Sequence, residues 1–125
     1  MMKRMLSTAA LALALTIGAS AASAQDFRPK SVIHVVNVKW KQGTTKEQIK
    51  AALDGLDKIH ASYPGLKRVW TNTFKFQLEG FSQAIVMEFE SRESLEKYAD
   101  SPAQKEWYKV YLPIREESRT NDITN

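Results

Sequence analysis

At 125 residues with 43% apolar content, the chain can bury one small core and no more. The complete lack of cysteine excludes disulfides, thiolate metal sites and a lipid-attachment cysteine. The formal charge of +4 overstates the basic character: Lys3 and Arg4 sit in a leader, and removing it leaves 16 basic against 14 acidic residues, a charge of +2 that gives no argument for nucleic acid.

Residues 1–24 read as a secretory signal peptide. Lys3 and Arg4 precede the apolar run Met5 to Ile17, and Ala22-Ser23-Ala24 supplies the small-residue cleavage site before Gln25. The run is shorter than the roughly 20 residues a spanning helix needs. The expected product is residues 25–125, a single domain free in the periplasm or secreted, with no membrane association after cleavage.

The domain is organised around Ser31 to Trp40. Val32, His34, Val36, Val38 and Trp40 share one face of a strand, and Ile33 and Val35 make the first half of the other face apolar too. Both faces need cover, and a chain this short has helices for one, so a second copy is expected on the other. Gln42-Gly43 turns out of the strand. Thr44 or Thr45 caps a helix, with Glu47 and Gln48 in capping-box register and Ile49, Ala52, Leu53, Leu56 and Ile59 forming its apolar stripe. Tyr63-Pro64-Gly65 stops that helix.

Lys67 to Phe76 alternates as a second strand, and Gln83 to Glu90 is a third, with Ile85, Met87 and Phe89 on one side. Ser91 caps a short helix through Leu95 and Tyr98 that ends near Ser101-Pro102. A further helix from about Ala103 carries Trp107, Val110, Tyr111 and Ile114. Arg119 to Asn125 is polar and reads as a short final strand. The order β-α-β-β-α-α-β is the split βαβ, ferredoxin-like arrangement of an α+β protein with an antiparallel sheet.

Five segments in this order resemble the stress-responsive dimeric α+β barrel (Dabb) family: Val32-Ile-His-Val-Val-Asn-Val-Lys39, the Gly-x-Thr turn, Pro64-Gly65-Leu66, Ala84 to Ser91, and Leu95-x-x-Tyr98-x-x-Ser101-Pro102-Ala103. The resemblance implies a ferredoxin-like protomer that pairs sheet to sheet into a homodimeric barrel, with His34 facing a cavity between sheet and helices. One plant member is a cofactor-free cyclase of linear polyketides whose motif places a histidine six residues after a tyrosine. Here Tyr98 is followed six on by Gln104, an amide that cannot take a proton near neutral pH.

The candidate catalytic residues are therefore His34 and Tyr98. An imidazole titrates near neutrality and serves as a base, or merely pairs with a core hydroxyl or carboxylate; a tyrosine offers a hydroxyl on an otherwise packing ring. Gln104, Trp40 and Trp107 are candidate ligand-binding residues for a small hydrophobic or aromatic molecule. Glu88, the one acid well inside an apolar strand, invites the expectation of a raised pKa; His60, near a helix end, reads as structural. Two distant histidines without cysteine give no metal set, and no cofactor motif is present. Three functions follow: a small-molecule binding protein, a cofactor-independent lyase or cyclase using His34 and Tyr98, and a structural stress-response interaction module.

Overall fold

The computed structural model describes residues 27–125, so the leader reading of residues 1–24 lies outside the described residues. Four strands, β1 (Val32–Trp40), β2 (Leu66–Trp70), β3 (Gln83–Phe89) and β4 (Arg115–Ile123), form one antiparallel sheet in the order β2-β3-β1-β4. The helices are α1 (Lys46–Ser62), α2 (Arg92–Tyr98) and α3 (Pro102–Tyr111), followed by a 3₁₀ turn at Leu112–Ile114. None of the described helices is long and apolar enough to cross a membrane.

Local chemistry sets the helix starts. Thr45 is the cap of α1: its Oγ1 accepts from Gln48 N–H at 3.1 Å and Gln48 Oε1 accepts from Thr45 N–H at 2.9 Å, a reciprocal box worth about 1 kcal/mol. Ser91 caps α2 and Ser101 caps α3, with Pro102 in the first turn, where its missing N–H is harmless. Pro113 also ends the last helix early. The expected helix through Ile114 is α-helical only to Tyr111 and tightens to 3₁₀ around Pro113, whose ring is incompatible with a continuing α-helix.

Two strands differ from expectation. β2 stops at Trp70 instead of Phe76, because side chains take over the pairing beyond it: Thr73 Oγ1 accepts from Ala84 N–H at 3.0 Å and Gln83 Nε2 donates to Thr71 O at 2.6 Å. Phe74 is 97% exposed, so its alternation with Phe76 marks no packed face. β4 begins four residues earlier than the polar stretch suggested and runs for nine residues. Its sequence, Arg-Glu-Glu-Ser-Arg-Thr-Asn-Asp-Ile, has almost no strand preference, and pairing along β1 overrides this.

The helices cover one face of the sheet. Val32, Val36, Val38, Ile85, Met87 and Phe89 pack there against Leu56 and Ile59 of α1 and Tyr98, Trp107 and Tyr111 of α2 and α3. On the other face register groups Ile33 with Ile123, Val35 with Val86, and Val86 with Trp70. No described element covers this side, and Trp70 and Ile123 are half or more exposed. The apolar second face read from β1 is therefore present and belongs to the surface of the protomer.

Glu88 lies on that open face, buried beneath Arg68. Ser31 Oγ donates to it at 2.8 Å, and Arg68 donates through Nε and, at 3.0 Å, through Nη2. The expected rise in its pKa is corrected: the Arg68 bond outweighs burial and holds the carboxyl below its ordinary value, so Glu88 is an ionised partner, not a proton donor. His60 Nδ1 lies 2.9 Å from Leu66 O and ties α1 to β2.

Candidate functional site

Two chambers meet at three residues. A cavity of about 440 Å³ lies between β1, β4 and α2, lined among others by Val32, His34, Leu95, Tyr98, Gln104 and Asp122. A smaller chamber of about 140 Å³ continues toward α3, lined among others by His34, Tyr98, Gln104, Trp107, Tyr111 and Arg115. His34, Tyr98 and Gln104 line both, and so form the neck between them.

His34 owes its position to the pleat of β1, which alternates it with Val32 and Val36 on the helix-covered face. Its side chain is 18% exposed, and its ring meets Phe89 edge-on at 6.1 Å. Directly opposite on β4 is Asp122, whose Oδ1 lies 2.5 Å from His34 Nδ1. A carboxylate only accepts, so Nδ1 carries the hydrogen, and in the neutral ring Nε2 is the nitrogen left with a free lone pair. A histidine held this way has a fixed tautomer and orientation, as a general base needs.

Tyr98 closes α2 and is 2% exposed, wedged against Phe89 at 5.0 Å and Tyr63 at 5.8 Å between ring centroids. Its hydroxyl has no hydrogen-bond partner among the described residues. Burial first, and then the neighbouring Tyr108 and Tyr111, push its pKa far above the ordinary phenol value, so it remains a donor at any working pH. The Tyr111 hydroxyl is equally buried and among the described residues has no partner at full hydrogen-bonding geometry; burial raises its pKa, opposed by Arg115 and Ser118 close by. Gln104 is held by its own loop: Ser101 Oγ accepts from its N–H at 3.2 Å, and its Oε1 accepts from Asp100 N–H at 2.7 Å. That bond braces Asp100 in the left-handed region, at φ 62°.

Trp107 stacks on Tyr111 at 4.2 Å with 6° between planes and donates Nε1–H to Ala52 O at 2.8 Å, which fixes one wall of the inner chamber. Trp40 packs edge-on against Tyr111 at 6.0 Å and lines neither chamber. Sequence reasoning passed over Asp122, Arg115 and the Tyr111 hydroxyl. An acid on a polar terminal strand gives no local signal; only the register of β4 against β1 sets it opposite His34. Among the described residues no group of three or more histidines and acids is placed to hold a metal ion.

A four-stranded antiparallel sheet with helices on one face, an apolar opposite face and a histidine–carboxylate pair at a cavity define an α+β barrel protomer of the ferredoxin-like kind. The chain belongs to the stress-responsive A/B barrel domain (Dabb) family, whose model matches residues 32–125.

Solved structures agree on the fold. A hydroxynitrile lyase from Passiflora edulis is 21% identical with a TM-score of 0.68, over 76% of this chain and 93% of that one. A dimeric ferredoxin-like protein of unknown function from Thermobifida fusca is 17% identical with a TM-score of 0.65, over 76% and 91%. A cofactor-independent oxygenase from Streptomyces nogalater is 10% identical with a TM-score of 0.61, over 77% and 93%. No curated protein matches the chain.

Proposed function

We propose that this protein binds a small hydrophobic or aromatic carbonyl compound between sheet and helices, and that His34 moves a proton on it without a cofactor. The observation that carries the reading is the 2.5 Å contact between His34 Nδ1 and Asp122 at a cavity shared with the Tyr98 hydroxyl. In this scheme Nε2 of His34 takes a proton from the bound compound. The Tyr98 hydroxyl, kept protonated by burial, donates to the oxygen on which charge then develops. Gln104 and Trp107 help to enclose the ligand, and Trp40 supports the Tyr111 wall from behind.

Support also comes from the neighbours' names, which include a lyase and a cofactor-independent oxygenase on this same fold. We place the working form in the periplasm or outside the cell on the strength of the leader pattern. We take it to be a homodimer joined through the open face of the sheet, as neighbours described as dimeric suggest.

The test is proton exchange in D₂O, followed by NMR, on a panel of aryl ketones and aldehydes bearing a hydrogen next to the carbonyl. The expected result is catalysed exchange of that hydrogen by the native chain, with a loss of about 10²–10⁴-fold in His34→Asn, the range positioned acid–base groups supply. Asp122→Asn should retain binding and lose most of the rate. Equal exchange by the native chain and His34→Asn across the panel would refute the proton-transfer reading.

A further inference from the structure

The inner chamber carries a chemical signature of its own. Its polar lining includes the hydroxyls of Tyr98 and Tyr111, the amide of Gln104, Ser118, Thr120 and the guanidinium of Arg115, and no aspartate or glutamate. Two of these groups are anomalous for a packed interior: the Tyr98 and Tyr111 hydroxyls belong to residues only 2% exposed and, among the described residues, none stands at full hydrogen-bonding geometry to them, although Gln104 approaches the first and Arg115 and Ser118 the second. Burying an unpaired hydroxyl is unfavourable by about 1–3 kcal/mol, so two in one chamber ask for a ligand that pairs with them.

Arg115 points to the charge of that ligand. It is partly buried, its guanidinium lies over the Tyr111 ring at 5.5 Å, and it forms no ion pair with any described carboxylate. The nearby acids are engaged elsewhere, Glu116 with Lys39 and Glu117 with Arg119. The acids that do line the cavity, Glu96 and Asp122, lie in the outer chamber. The helix-facing residues Ser118, Thr120 and Asp122 follow one another along β4 beyond Arg115, so the positive and negative ends, Arg115 and Asp122, are seven residues or about 23 Å of strand apart.

We infer that the inner chamber is a carboxylate subsite: the ligand is an organic acid whose carboxylate meets Arg115 and the two tyrosine hydroxyls, while the rest of the molecule passes His34 into the outer chamber. A carboxylate suits the planar donor fork of arginine and accepts from several hydroxyls at once. The chamber's 140 Å³ equals about five water volumes, enough for the acid group and a few carbons. The charge gradient orients the ligand as well, since its acid end is repelled from Asp122. This deepens the reading given under Proposed function and rests on it for the use of the cavity.

The experiment uses benzoate and its neutral isostere benzamide as probes of the full chain, with binding followed by NMR shifts of the Trp107 indole N–H. Benzoate should bind at least about tenfold more tightly than benzamide, and Arg115→Gln should bring the two to parity while benzamide affinity holds. Equal binding of the two probes by the native chain, or a benzoate preference that survives Arg115→Gln, would overturn the carboxylate subsite and leave the cavity reading standing. If neither probe binds at millimolar concentration, both readings fall.

Discussion

Removing the Tyr98 hydroxyl should make the protein more stable. Tyr98→Phe keeps the ring contacts with Phe89 and Tyr63 and deletes one buried oxygen that has no hydrogen-bond partner among the described residues. An unsatisfied buried hydroxyl opposes folding by about 1–3 kcal/mol, so relief of about 1–2 kcal/mol is expected. In a domain of this size 1 kcal/mol moves Tm by about 4–8 °C, so a rise of at least about 4 °C should be read by circular dichroism at matched protein concentration. Tyr63→Phe is the internal control. Its hydroxyl donates to Ser94 O at 2.5 Å, and deleting it should lower stability by about 1 kcal/mol. A Tyr98→Phe protein that melts at or below the native temperature would mean the hydroxyl is satisfied, and the ligand argument built on it would fail. A gain in stability joined to a loss of benzoate binding is the expected pairing, since groups kept for function are commonly retained against stability.

The pattern at Gly55 reverses the usual rule that glycine to alanine strengthens a helix by about 1 kcal/mol. A Cβ there would stand 2.8 Å from Trp107 Cδ1, and Trp107 is pinned by its bond to Ala52 O and its stack on Tyr111. Gly55→Ala should therefore lose up to about 2 kcal/mol by urea titration, and a stabilised variant would show that Trp107 can yield. Glu88 supplies the acid limb of stability. Its folded pKa lies below its ordinary value of 4.5, so its contribution is present above that pH and is lost as the pH falls through the folded value; urea midpoints of the native chain should drop more steeply below about pH 4.5 than those of Glu88→Gln, and parallel curves would refute the assignment.

Sequence pattern carried the architecture well and the site in part. The two-faced strand Val32–Trp40, the capping box at Thr45 and the serine caps at Ser91 and Ser101 are local signals, legible because side-chain period and cap chemistry act within a few residues. His34 stood out as a polar group inside an otherwise apolar strand, whereas Tyr98 and Gln104 were singled out largely through the resemblance to the cyclase motif, and Trp107 as an aromatic on a helix stripe; the structure brings His34, Tyr98 and Gln104 to the same cavity. Asp122 and Arg115 were not legible, because they stand in a strand whose composition is that of a surface loop. Their meaning comes from pairing with residues more than seventy positions away, which no window of sequence reports. The overextended β2 has a different cause. Thr71 and Thr73 alternate like strand residues, yet they exchange hydrogen bonds with Gln83 and Ala84 through side chains and backbone in a bend.

The sheet order has one more consequence. β1, which bears the imidazole, is clamped between two neighbours, whereas β4, which bears the carboxylate, has a free flank. Drift in sequence is tolerated far better on such an outer ribbon than at the centre of a sheet. The partner of the central imidazole can therefore be exchanged on the outermost strand of the sheet without disturbing the buried residues that β1 packs against the helices.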